Sequence, residues 1–208
     1  MAKTKMFKFN IKNVKFSIKD PETGTWGEFQ DLAYANSLSL EADYNELVLY
    51  GDGQKLAVLP DDKGKTGVLS VTNIEKAYEI ACGRMMEIDG GIAKVQQLKA
   101  VEHTLYYEVD AIENDERLTI KSVLYGCITG KPNETFNQTA DDPTVNTYDY
   151  PLTNLGVELR AATGEDLYKD DKGNTIRVTE KVVYPGDPDY ETFGIGAPTM
   201  PKAKVVTP

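Results

Sequence analysis

Glu46-Leu47-Val48-Leu49-Tyr50-Gly51-Asp52-Gly53-Gln54-Lys55-Leu56-Ala57-Val58-Leu59 is the stretch whose reading decides the fold. Two apolar runs flank Gly-Asp-Gly, and glycine tolerates the positive φ that a tight hairpin turn requires, so residues 44–59 read as a β-hairpin. Its apolar side chains stand at consecutive rather than alternate positions. Successive side chains of a strand point to opposite faces, so this hairpin is apolar on both. Such a ribbon calls for cover on at least one side, from another element or another subunit. Leu47, Val48, Leu49, Tyr50, Leu56, Val58 and Leu59 are accordingly candidate contact residues between subunits.

Strand patterns extend outward from the hairpin in both directions. Upstream, Leu38 and Leu40 alternate with Ser37, Ser39 and Glu41, and Trp26 and Phe29 supply apolar anchors. Before them Phe7, Phe9 and Ile11 are followed, out of phase, by Val14, Phe16 and Ile18, predicting two segments broken at Asn13, with a turn at Asp20, Pro21 and Gly24. Downstream, Asp61-Asp62-Lys63-Gly64 reads as a turn. One helix is expected over 73–83: Thr72 and Glu75 have capping-box spacing, Ile74, Ala77, Tyr78 and Ala81 share a face, and Gly83 stands where a C-terminal glycine belongs.

After Asp89-Gly90-Gly91 the pattern returns to strands. Residues 103–110 and 117–128 form a long antiparallel pair around Glu113-Asn114-Asp115-Glu116, with further strands at 135–138, 145–153 and 157–161. A last hairpin turns at Asp170-Asp171-Lys172-Gly173-Asn174 and continues through 175–184. Residues 1–184 thus read as one mainly β domain, a β-sandwich or half-open barrel with one short α-helix and a long β-hairpin. The Pro- and Gly-rich stretch 185–208 lacks periodicity and reads as a C-terminal arm.

At 208 residues and 40% hydrophobic content the chain can bury one sizeable core. Acidic residues outnumber basic ones 33 to 23, for a formal net charge of -10, so the surface as a whole repels nucleic acid. Lys3, Lys5, Lys8, Lys12, Lys15 and Lys19 alternate with apolar residues as a solvated strand face does. Cys82 and Cys127 lack metal-ligand spacing and read as small buried hydrophobes. The N-terminus has no apolar signal region, and no stretch approaches the ~20 apolar residues of a membrane-spanning helix, so a soluble protein without a membrane anchor is expected.

Catalytic constellations fail for want of parts. With a single histidine and no Gly-x-Ser-x-Gly elbow there is no nucleophilic triad, and His103 reads as a satisfied or surface strand position. The acidic pairs Asp61-Asp62, Asp141-Asp142 and Asp170-Asp171 are turn residues, whose carboxylates bond nearby backbone amides, rather than a hydrolytic pair. Asp187-Pro188-Asp189-Tyr190-Glu191 is too sparse in spaced oxygens for an EF-hand, and Gly194-Ile195-Gly196 lacks the strand–helix setting of a phosphate loop. Asn133-Glu134-Thr135 and Asn137-Gln138-Thr139 are chance matches to the glycosylation pattern. Twelve tyrosines without interleaved basic residues suit packing better than base stacking. No catalytic, cofactor-binding or metal-ligating set is therefore assigned, and a structural subunit rather than an enzyme is expected.

The order of elements resembles the major tail proteins (tail tube proteins) of long-tailed, siphovirus-type bacteriophages. Phe9-Asn10-Ile11-Lys12-Asn13-Val14-Lys15-Phe16 is similar to that family's first strand; Leu38-Ser39-Leu40-Glu41-Ala42 and Val48-Leu49-Tyr50-Gly51-Asp52-Gly53 resemble its second strand and hairpin. Ile74-Glu75-Lys76-Ala77-Tyr78 through Gly83 lies where the family has its helix. Leu105-Tyr106-Tyr107-Glu108-Val109, Val123-Leu124-Tyr125-Gly126-Cys127 and Lys131-Pro132-Asn133-Glu134-Thr135 follow its later strands and turn, and the likeness fades after about Ala161.

The resemblance implies homohexameric rings stacked into a tube that conducts double-stranded DNA without binding it. It also implies tape measure and tail-end proteins as partners, a non-contractile virion tail assembled in the host cytoplasm, and no cofactor. Bacterial secretion and injection tubes share the fold. An immunoglobulin-like module that binds a carbohydrate or cell surface is the rival from another class, and an enzyme using strand-end carboxylates comes third.

Overall fold

The protein is described by a computed structural model over residues 6–32, 34–134, 146–162 and 166–204. The expected strand at 135–138 and the pair Asp141-Asp142 lie outside the described residues. The chain runs through β1 (Met6–Ile18), β2 (Gln30–Asp31), β3 (Ala35–Gly51), β4 (Gln54–Val71), α1 (Lys76–Ala81), β5 (Met85–Ile88), β6 (Gly91–Lys94), β7 (His103–Glu113), β8 (Glu116–Thr129), β9 (Tyr148–Asn154), β10 (Val157–Glu158), β11 (Arg177–Val178) and β12 (Glu180–Val183). It is mainly β with one short helix, and its principal sheet is antiparallel and open, in the order β2-β1-β7-β8-β9-β4-β3, consistent with a β-sandwich.

Both faces of the central strands are buried, because side chains alternate between two cores. Leu105, Tyr107 and Leu124 point into the first, with Phe16, Leu69, Val71, Tyr78 and Tyr150. Tyr106, Val123 and Tyr125 point into the second, with Val157, Val183 and Phe193. Helix α1 covers the first core through Tyr78; residues of the C-terminal stretch cover the second.

Gly126 lets β8 serve three neighbours. Opposite β7, the register steps from His103↔Cys127 to Leu105↔Leu124, so β8 carries an extra residue, and Gly126 takes φ +63. This bulge returns Cys127 to the first core, where strict alternation from Leu124 would send it to the second. The outer edge of β8 then divides: residues 121–124 pair with β12 and residues 127–129 with β9. Asn154 spans the fork, its Nδ2 donating to the carbonyls of Tyr125 and Thr179. A Cβ on Gly126 would lie 2.4 Å from the Gly156 carbonyl oxygen, so the branch depends on glycine.

Several expected breaks prove to be bulges. β1 is continuous through Asn13, and its change of phase comes from register shifts beside Asn10 (φ 56) and Asn13 (φ 50). Asp61-Asp62-Lys63-Gly64 is likewise no turn: it lies within β4, opposite β3, and the hairpin runs 35–71 rather than 44–59. Pairing with β3 carries the strand past polar residues that would end it in isolation.

The helix is shorter than expected, Lys76–Ala81, and the Thr72–Glu75 capping box does not form. Thr72 is held at the end of the hairpin instead, its amide and hydroxyl both donating to the Tyr34 carbonyl. Glu75 is the N-cap residue, and Gly83 closes the C-terminus at φ +68 with its amide donating to Ile80. The stretch from Pro185, expected to be an arm, lies along the second core through Lys204, with Phe193, Pro198 and Pro201 buried. Its backbone is engaged: Phe29 donates to Gly196, Arg160 to Pro201, Ala203 to Arg160, and the Tyr125 hydroxyl to Thr199.

Candidate assembly surface

The β3–β4 hairpin leaves the sheet at Gly64. Strand β9 accompanies β4 only over residues 65–71; from there to the tip, β3 and β4 pair with each other alone. Between the pairs Ala42↔Lys65 and Tyr44↔Asp62 the register shifts, and Gly64 takes φ +96 with its amide bonded to the Asp62 carboxylate. A Cβ there would meet the Asn154 carbonyl oxygen at 2.2 Å, the point where β9 ends, so glycine sets both the bulge and the departure of the ribbon.

The tip is a two-residue turn. Gly51 pairs with Gln54, and Asp52 and Gly53 have φ of 51 and 76, the positive pair of a type I′ hairpin. Directly opposed residues share a face, which places Leu47 beside Leu59 and Leu49 beside Ala57 on one side, with Val48 beside Val58 and Tyr50 beside Lys55 on the other. All seven residues singled out from the sequence lie on this ribbon. Six are exposed, from Val58 at 37% to Tyr50 and Leu56 at 70%, and Val48 is half-buried.

The ribbon's two edges differ. Pro60 opposes Glu46; lacking an N–H, it can occupy only a non-hydrogen-bonded pair, which puts the missing donor on the outer edge of β4 and blunts it. The outer edge of β3 contains no proline, ends the sheet order and is unpaired among the described residues, which leaves a row of amides and carbonyls ready for strand addition. Asp43, Glu46, Asp61 and Asp62 make the base of the ribbon acidic.

Beside the ribbon, the outer face of β9, β4 and β3 is mostly polar and, among the described residues, its three rows hold no lysine or arginine. Its rows, in register, are Asp149–Ser70–Ser37, Pro151–Val68–Ser39 and Thr153–Thr66–Glu41. The opposite face carries Tyr150, Leu152, Leu69 and Val71 into the first core.

Several other chemistry-bearing residues are engaged in the fold. His103 and both cysteines are buried; burial pushes the Cys82 thiol up to about 11 and the Cys127 thiol up to about 12, so neither is a nucleophile at neutral pH. Asp20 caps a turn by accepting the Glu22 and Thr23 backbone amides, and Asp170 accepts the Asn174 side-chain amide together with the Asn174 and Lys172 backbone amides; these bonds hold both carboxyls below their ordinary range. Asp187 accepts from the Tyr184 amide and Asp189 from Lys181. Of the amino-terminal lysines, Lys3 and Lys5 lie outside the described residues and Lys8 is exposed, whereas Lys12 bonds Asp110, Lys15 the Gly194 carbonyl and Lys19 Glu102. Comparison with protein-family models and with curated proteins finds no match for the chain.

What sequence reasoning missed is the buried group around Arg84. It sits 1% exposed among Tyr78, Tyr150 and Thr129, paired with Glu79. The only sequence signal was a charged pair spaced five apart across the expected helix end.

Proposed function

We propose that the chain is a structural subunit that builds a tube from copies of itself, of the kind that forms the tail tube of long-tailed bacteriophages. The observation that carries this reading is the β3–β4 ribbon: apolar on both faces, unsupported by the body from residue 44 to 62, and bordered by the open edge of β3. Contiguous exposed apolar surface bordered by polar residues marks an interaction site. Its partner in this reading is the body of the next copy, so the contact joins two different surfaces. Head-to-tail contacts of that sort generate closed rings or filaments.

Energetics favour assembly over dimers. Fully burying a large apolar side chain contributes about 1.5–3 kcal/mol, so seating the ribbon's six partly exposed apolar side chains yields about 5–10 kcal/mol. That is comparable with the ~4–15 kcal/mol lost in freedom on association. One seated ribbon is therefore marginal, whereas a closed ring in which every ribbon is seated is cooperative.

The cation-free face of β9, β4 and β3 supports a DNA conduit. Apart from Pro151 and Val68 its rows are hydroxyls and carboxylates, which offer duplex phosphates no lysine or arginine with which to displace counterions, and the net charge of -10 acts in the same sense. Hexameric rings, tape measure and tail-end partners, and a place in the virion tail belong to this same proposal.

Electron microscopy of the purified protein at high concentration tests it. Hollow tubes or stacked six-subunit rings are the expected result. A cysteine introduced at Leu56 should then be protected from thiol labelling in the assembly and reactive in the monomer. Equal labelling in both states, or a stable monomer that binds glycan, would overturn the reading.

A further inference from the structure

A directed chain of hydrogen bonds runs through the first core and ties α1 to the sheet. His103 is fully buried; its Nδ1 lies 3.0 Å from the Val101 carbonyl and its Nε2 2.9 Å from the Tyr78 hydroxyl. A carbonyl can only accept, so Nδ1 carries the proton and Nε2 accepts from Tyr78. The Tyr78 oxygen then accepts from the Thr129 hydroxyl at 2.8 Å, and the Thr129 oxygen accepts from Arg84 Nη1 at 3.1 Å. Arg84 Nε donates to Glu79 at 2.9 Å. Every proton has one place, set from the two ends by a carbonyl and a guanidinium that cannot reverse roles. The first three links cross between α1 and its following turn (Tyr78, Arg84) and the strands β7 and β8 (His103, Thr129), and the last joins Arg84 to Glu79 of α1.

We propose that this chain is an acid-sensitive latch holding α1 on the sheet, opened by protonation of the protein's single histidine. An imidazolium has N–H groups on both nitrogens. The Tyr78 hydroxyl, already accepting from Thr129, would lose its acceptor and leave its own proton buried without a partner. Charge adds to this. His103 is faced by Tyr78 from α1 and Cys127 from β8 and feels the charge of Arg84 from the turn; Thr129 from β8, Tyr150 from β9 and Glu79 from α1 in turn contact Tyr78 or Arg84. One carboxylate is thus present and already bonded to Arg84, while Glu102, next in sequence, is paired with Lys19. A second cation in this core has no anion, whereas release of α1 lets water reach it.

Burial holds the imidazole down at about 4 from an ordinary 6.5, against the opposing pull of the Val101 carbonyl. With the folded value depressed, the unfolded chain binds more protons between these limits. The latch therefore contributes in full above pH 6.5, weakens as pH falls, and has nothing further to lose below about 4.

Because the chain has one histidine, nitrogen-15 NMR of the full-length protein reads this site without overlap. The expected result is a neutral, Nδ1-protonated ring at pH 7 that stays neutral to below pH 5, with hydrogen-exchange protection of residues 76–84 falling as it titrates. His103→Gln keeps an acceptor for Tyr78 and cannot titrate. Between pH 6.5 and 4 the wild-type folded-to-unfolded ratio should drop about 10²-fold more than that of the variant. An Nε2-protonated ring, titration near 6.5 with protection of 76–84 unchanged, or identical acid profiles for the two proteins would each overturn the proposal. If His103→Gln does not fold, the wild-type tautomer and protection data decide it.

Discussion

The two long hairpins of this protein are built alike and end differently. β3–β4 turns through Asp52-Gly53 and β7–β8 through Asn114-Asp115, each with two consecutive positive φ values, and each carries apolar residues on both faces. In β7–β8 the two faces are covered, by α1 and the first core on one side and by the C-terminal stretch on the other, so that Leu105, Leu124 and Tyr125 are at most 1% exposed. In β3–β4 beyond residue 65 neither face is covered, and Leu56 is 70% exposed. Equivalent local sequence thus produced a core in one place and a surface in the other. Among the described residues there is one helix and one C-terminal stretch with which to cover two double-faced hairpins, so the second stays uncovered.

The comparison breaks most sharply at the glycine that lets β8 branch. Gly126→Val adds a β-branched side chain at φ +63 and drives it into the Gly156 carbonyl, so a loss above ~4 kcal/mol, or outright failure to fold, is expected in urea unfolding. Retention of near wild-type stability would mean that β9 and β12 do not meet β8 as described. Next in size is Glu79→Gln, which leaves Arg84 buried without its anion; about 3–5 kcal/mol should be lost, read as a lowered denaturation midpoint. A change under 1 kcal/mol would show that water already reaches this pair and that α1 covers less than its packing indicates.

The smallest effect on stability carries the sharpest functional contrast. Leu47→Asp with Leu59→Asp replaces an exposed cross-strand pair, so the monomer should unfold within about 0.5 kcal/mol of wild type. Tube formation, scored by electron microscopy or sedimentation, should nonetheless be abolished, because like charges would enter the seated interface. The same double substitution placed in β7–β8 would unfold the protein. Normal tubes from the ribbon variant would remove the ribbon from assembly.

Much of this architecture was legible residue by residue. Alternating Leu38 and Leu40, the apolar runs beside Gly51-Asp52-Gly53 and the Glu113–Glu116 turn identified strands and hairpins because period-two patterning and turn chemistry are local. Asn13 and Asp61–Gly64 misled for a related reason: a bulge and a turn use the same small or polar residues, and only the partner strand decides whether the chain reverses or continues. The Arg84 group could not be read at all. Its members come from three separate stretches of chain, residues 78–84, Thr129 and Tyr150, and nothing local distinguishes a buried arginine from a solvated one.

The sequence by itself determined that the protein is mainly β, where its hairpins turn, that it has one helix closed by Gly83, and that residues 47–59 are apolar on both sides. These properties belong to short stretches, and each is set by backbone sterics and side-chain periodicity. Only the tertiary structure decided which hairpin is covered, that Gly126 divides the sheet, that the C-terminal stretch closes the second core, and that His103 lies inside a chain of polar groups. Burial is a property of neighbours distant along the chain, and a side chain's apolarity states a need for cover without naming what supplies it.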